Sequence, residues 1–330
     1  MALCSSLLVS FAAFSGRLGN LEILFVTLLY NMGWTFSFIL SQYLHAQKGP
    51  SPSGLYDDYG TNFIYVFAGF FALIFSLVIN REKGKNSATG SRHSAFIAMI
   101  GTGFIFACFP FSGILYPASA VGNNLRRTEG PLNIYFALTA SVISTYIFSA
   151  IFGKLKVGVR ESLLGVISGG VTIGVVGGTI NNIGACIAIG AFSGLLSSLY
   201  YRLIHAKSLF VQTIDHLGII GPILLCSVFG GLGLAPILYA AYKNLGTSTS
   251  TLIGMANIND NNFINYQLVN IGVAAGTAIF TGLLSAIFPY CLRKYHAKTD
   301  FKYSKLVSLD FGLYQEENEE KHKNRIAEAI

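Results

Sequence analysis

Apolar residues run in nine stretches separated by polar or Gly/Pro-rich breaks, roughly over residues 2–15, 21–44, 62–80, 94–118, 132–152, 162–180, 183–204, 217–241 and 265–291. A hydrocarbon core takes ~20 residues of helix to cross, and eight of the stretches approach or exceed that length. Lipid offers a backbone no hydrogen-bond partner, so each stretch is predicted to be helical. The expected fold is all-α: a polytopic membrane helix bundle of about nine transmembrane helices over residues 1–292, followed by a polar C-terminal tail over 293–330. The first stretch is short and reads either as a span or as the apolar core of a signal peptide. Met1 is followed directly by Ala2, Leu3 and Cys4, which leaves no basic segment ahead of such a core.

The breaks carry turn chemistry. Lys48-Gly-Pro-Ser-Pro-Ser-Gly is a turn cluster, Arg81–Ser91 is a charged loop, and residues 246–262 are rich in Ser, Thr and Asn. The tail contains Gln315-Glu-Glu-Asn-Glu-Glu-Lys-His-Lys, a run that predicts a solvated, partly helical segment.

Charged residues make up 11% of the chain, against about 25% in soluble domains. A soluble protein of this length could not cover its surface with so few. The formal charge of +7 therefore signals membrane topology and not a nucleic-acid partner. Counted over alternate loops and the tail as far as Lys305, fifteen Lys and Arg fall on one side and four on the other. The basic side is expected to face the cytoplasm or a matrix, which puts the C-terminus there too. Membrane lipid is the first expected partner. Cys4, Cys108, Cys186, Cys226 and Cys291 all lie in or at the ends of apolar stretches. They read as packing residues, with no metal spacing and no disulfide framework, and no cofactor is called for.

Two residue classes inside the stretches bear on function. Gly165, Gly169, Gly170, Gly174, Gly177 and Gly178 share one stretch, and Gly190 and Gly194 form a small-xxx-small pair in the next. Small residues at this spacing let helices approach closely in lipid. They predict either tight packing or thinned walls around a narrow pore. Ionisable residues in spans are functional candidates by default, but Glu22, Asp57, Asp58, Arg160, Glu161, Asp215 and His216 all fall at predicted ends. Thr213 or Asp215 would cap the following helix, and His216 would then face either the interface or a central path. No stretch holds a mid-membrane His, Lys or Arg, and none holds a nucleophile–base pair, so an enzyme is not expected.

Several segments in order resemble the Rh branch of the ammonium transporter family. Tyr56-Asp-Asp-Tyr-Gly-Thr-Asn-Phe-Ile-Tyr-Val-Phe-Ala-Gly-Phe-Phe-Ala-Leu is similar to the family's D-x-G-G-S-M-T-I-H-T-F-G-A-Y-F-G-L. Phe104–Ser112 resembles its F-L-W-M-F-W-P-S-F span. Ser168-Gly-Gly-Val-Thr-Ile-Gly resembles A-G-G-V-A-V-G, and Gly190-Ala-Phe-Ser-Gly-Leu-Leu-Ser-Ser resembles G-x-x-x-G-x-I-S-T. Val211-Gln-Thr with Leu217-Gly-Ile-Ile-Gly is similar to I-Q-D-T … H-G-I-P-G, and Tyr266-Gln-Leu through Gly282-Leu-Leu to the last span.

The resemblance implies inverted repeats around a narrow apolar pore, assembled as trimers, with ammonia or ammonium as permeant. It also implies that this chain corresponds to an N-terminally truncated Rh channel starting at the family's fourth span. The family pore carries two histidines and entrance phenylalanines. By the resemblance, the first histidine position falls at Glu161 or near Ser162 and the second at Leu217, beside His216. Tyr65 replaces the histidine of T-I-H-T. Phe109 or Phe111 would be the entrance aromatic, with Cys108 as a competitor for that position. Two readings follow. In one, the chain is a non-transporting or altered Rh-like subunit of a homo- or hetero-oligomer, a trimer or a larger membrane complex, with Gly165, Gly169, Gly170, Gly190 and Gly194 as packing seams toward a partner. In the other, it is a working channel for ammonia or another small neutral gas, completed by a partner chain.

The charge asymmetry makes a direct prediction. Single cysteines placed in Arg81–Ser91 and after Arg293 should be labelled by an impermeant reagent from the same side of the membrane. Labelling from opposite sides would contradict the nine-span reading.

Overall fold

The computed structural model describes residues 2–14, 18, 20–46, 60–79, 92–111, 125–152, 159–177, 180, 182–215, 218–234 and 263–296. The charged Arg81–Ser91 loop, the Ser/Thr/Asn-rich segment and residues 297–330 of the tail lie outside them.

All nine apolar stretches carry helix within the described residues. In chain order these are α1 (Ala2–Phe14), α2 (Asn20–Ala46), α3 (Asn62–Ile79), α4 (Arg92–Cys108), α5 (Leu125–Phe152), α6 (Val159–Ile173) and α7 (Ile183–His205). A short α8 (Leu209–Ile214) precedes α9 (Ile220–Val228), and α10 (Phe263–His296) follows. Five segments are long and apolar enough to cross a membrane: Leu21–Leu44, Asn62–Ile79, Gly130–Ile151, Ile183–His205 and Gln267–Cys291. Among the described residues, α6 and α9 end as α-helix short of that length. The 15 residues of α6 end in a turn over 174–177, and α9 gives way to a π-helical turn over Phe229–Leu234. Irregular backbone at membrane depth is tolerated where protein surrounds it, and every residue from Ser168 to Gly177 is buried. At the other boundary, α10 runs to His296, four residues into the segment expected to be polar tail.

The helices form two groups. One core joins α1, α2, α3 and α10 through Val26, Tyr30, Phe67, Phe71, Phe75 and Ala278. The other joins α5, α6 and α7 through Ile134, Leu138, Val166, Ile173, Cys186 and Ile189. Between them, α9 places Ile220 in the first core, and Phe229 from the turn that follows packs on the second.

Two kinds of contact hold this arrangement. The first is close backbone approach. A Cβ on Gly190 would lie 2.2 Å from the Ala137 carbonyl oxygen, and one on Gly194 2.4 Å from that of Ser141. On α6, a Cβ on Gly165 would lie 2.8 Å from Val142 Cα, and one on Gly169 2.7 Å from Ser141 Cβ. These four glycines of α6 and α7 thus receive one helix, α5, of the same chain. The sequence reading set them toward a partner chain; the structure fills these faces internally. The second kind is satisfaction of stray polar groups. The π-helical opening of α3 over Asn62–Val66 shifts the regular helical pairing. Its Phe63 and Ile64 carbonyls accept from Trp34 Nε1 at 2.8 Å and Ser6 Oγ at 2.9 Å. Past α6, Asn133 Nδ2 donates to the carbonyls of Gly177 and Ile180.

Overpacking a filled interface costs ~1–3 kcal/mol or more. Gly190→Ala should therefore lower the melting temperature in mild detergent by several degrees. Gly101→Ala on α4, where nothing lies within 4 Å of the added Cβ, should leave it unchanged. Equal effects would contradict the α5–α7 seam.

Candidate functional site: an aromatic contact and a polar helix-end cluster

The sequence-derived candidates separate into two places along α6. Near its C-terminal end, Phe109 lies over Gly170, where a Cβ would meet the ring at 2.5 Å. The same ring stacks on Tyr65 of α3, with centroids 6.1 Å apart and planes 18° from parallel. Glycine at 170 is what admits the phenylalanine. Phe111, two residues on, points elsewhere: it is exposed and meets Tyr135 of α5 edge-on at 6.2 Å. Cys108 is also exposed. Of the three entrance candidates, only Phe109 reaches the interior between α3 and α6.

Glu161 and Ser162 sit at the other end of α6, about 14 Å down the helix from Gly170 at 1.5 Å per residue. Glu161 is buried and accepts from Arg202 Nη2 at 2.9 Å. Ser162 Oγ bonds the Tyr146 hydroxyl of α5. The structure therefore does not bring Glu161 or Ser162 together with the Tyr65–Phe109 pair. His216 and Leu217 lie outside the described residues, as do Asp57 and Asp58 and the side chain of Thr213.

Around the Glu161 end a larger polar cluster forms, most of which the sequence reading did not single out. The last turns of α7 widen into a π-helix over Tyr200–His205, which presents Tyr200, Tyr201, Arg202 and His205 to neighbouring helix ends. Asp215 is buried, 3% exposed, and its carboxylate is fully engaged. Oδ1 accepts from the Ile219 and Ile220 amides at 3.0 and 3.2 Å, and Oδ2 from the Gly221 amide at 2.9 Å and the Tyr200 hydroxyl at 3.1 Å. The first amides of a helix have no partner within it, and a carboxylate there also meets the positive end of the dipole. Asp215 therefore caps α9 from the preceding turn, as one of the two sequence readings had it, and ties α9 to α7. Gly218, at φ +68°, makes the turn that allows this.

The Asp215 carbonyl faces His205 Nε2 at 2.7 Å, and a carbonyl can only accept, so this nitrogen carries the proton. The His205 ring stacks on Tyr201 at 5.3 Å. Arg160 lies over Tyr201 at 5.3 Å and donates to its hydroxyl at 2.6 Å. A regular spacing search misses this cluster, because the start of α6 lies about 40–55 residues before the end of α7 and the start of α9, which are themselves 10–15 residues apart. The usable signal was the pairing of one acidic residue before α9 with the Tyr-Tyr-Arg-x-x-His end of α7. Chemically, the cluster fixes helix ends and holds charge at a membrane boundary.

Comparison with known proteins places this architecture. The model of the Ammonium Transporter Family matches residues 2–297. Ammonium transporter Rh type B of Bos taurus is 31% identical over 207 residues, which cover 60% of this chain and 42% of that protein. The protein of the same name from Oryctolagus cuniculus is 28% identical over 296 residues, covering 86% of this chain and 61% of that one. The chain thus spans less than two thirds of these relatives' length. Among solved structures, Rh50 of Nitrosomonas europaea superposes with a TM-score of 0.71 at 19% identity, over 99% of this chain and 78% of Rh50. Mep2 of Candida albicans gives 0.58 at 14% identity, over 88% and 62%. At such identities the likeness is one of fold. The match across residues 2–297 carries the assignment: this chain belongs to the ammonium transporter family.

Proposed function

We propose that this chain is a multi-pass membrane subunit of Rh type that does not itself conduct ammonia and that works within an oligomer, a trimer or a larger complex, with its C-terminus on the cytoplasmic or matrix side. In this reading nine spans are present, and the polar tail after residue 292 projects from the basic side. The observation that carries the proposal is the ion pair at Glu161. At the position where resemblance puts the first pore histidine, the chain holds a buried carboxylate bonded to Arg202 at 2.9 Å. An imidazole changes charge near neutral pH and can exchange a proton with a permeant. At Glu161 the chain has instead a carboxylate that accepts from the Arg202 guanidinium. The stacked Tyr65 and Phe109 rings add a second impediment between α3 and α6.

The sites of this proposal are Phe109, Glu161 and Ser162, with His216 and Leu217 as the further positions that the resemblance assigns to the pathway. Gly165, Gly169, Gly170, Gly190 and Gly194 serve as packing positions. The competing reading, a conducting channel for ammonia or another small neutral gas, draws on the fold likeness to Rh50 of Nitrosomonas europaea.

Liposomes carrying the purified chain and a trapped pH dye separate the two. After an ammonium pulse, internal pH should rise no faster than in empty vesicles. A protein-dependent acceleration would overturn the proposal in favour of the channel, and its loss in His216→Ala would then identify the working imidazole.

A further inference from the structure

We draw no further inference here: the strongest candidate, the outward face of α10 on which Gly272 and Gly276 meet nothing within 4 Å beside the exposed Phe280, is an unpartnered apolar helix face, and nothing in the structure shows what covers it.

Discussion

The arrangement of this chain depends on how closely α5 can approach α6 and α7. In lipid, apolar side chains gain nothing by leaving the solvent for each other, so association rests on close packing and a few polar bonds. Gly165 and Gly169 on one side, and Gly190 and Gly194 on the other, give α5 two faces with no side chain in the way. Hydroxyls then reach across the short gaps. Ser141 meets Ser168 at 3.1 Å and Ser193 at 3.2 Å, and Ser144 bonds the Ala191 carbonyl. A larger residue at any of these glycines would separate the backbones and break the hydroxyl contacts with them.

The other helix group, α1, α2, α3 and α10, uses a different device. The buried face of α3 is aromatic: Phe67, Phe71 and Phe75 stack in series, with Tyr30 edge-on to the first two. Hydroxyl and amide groups concentrate instead where helices start or widen. Ser41 bonds Asn270, and Asn62 bonds Gln267 at 3.3 Å, at the end of the group where α3 and α10 begin. Thr61 Oγ1 reaches the Val171 carbonyl at 3.3 Å and so links this group to α6. That link, with the α9 cap at Asp215, relates the two groups to each other and positions Phe109 against Tyr65.

Hydropathy located the helices because a bilayer demands long apolar runs, and every apolar stretch holds one. It could not show that α6 stops at Ile173 or that α9 turns π-helical at Phe229, since burial inside protein removes the length requirement that the pattern encodes. Glycine spacing identified Gly190 and Gly194 as contact positions, but spacing is silent on which helix is contacted. The candidate site was legible only in part. Phe109 reaches Tyr65, whereas Phe111 two residues later faces outward, a difference set by the short turn that ends α4. Tyr200, Tyr201 and His205 gain their roles from the widening of α7, which no local propensity marks. Asp215 was visible as a cap because its chemistry acts within six residues of itself.

A density map of the native assembly in a lipid nanodisc tests the central claim most directly. The account predicts α5 seated on the glycines of α6 and α7 within one chain, Glu161 paired with Arg202, and Phe109 stacked on Tyr65 with no open path past them. A map with those glycine faces turned toward a second chain, or with a continuous channel past Phe109, would contradict it.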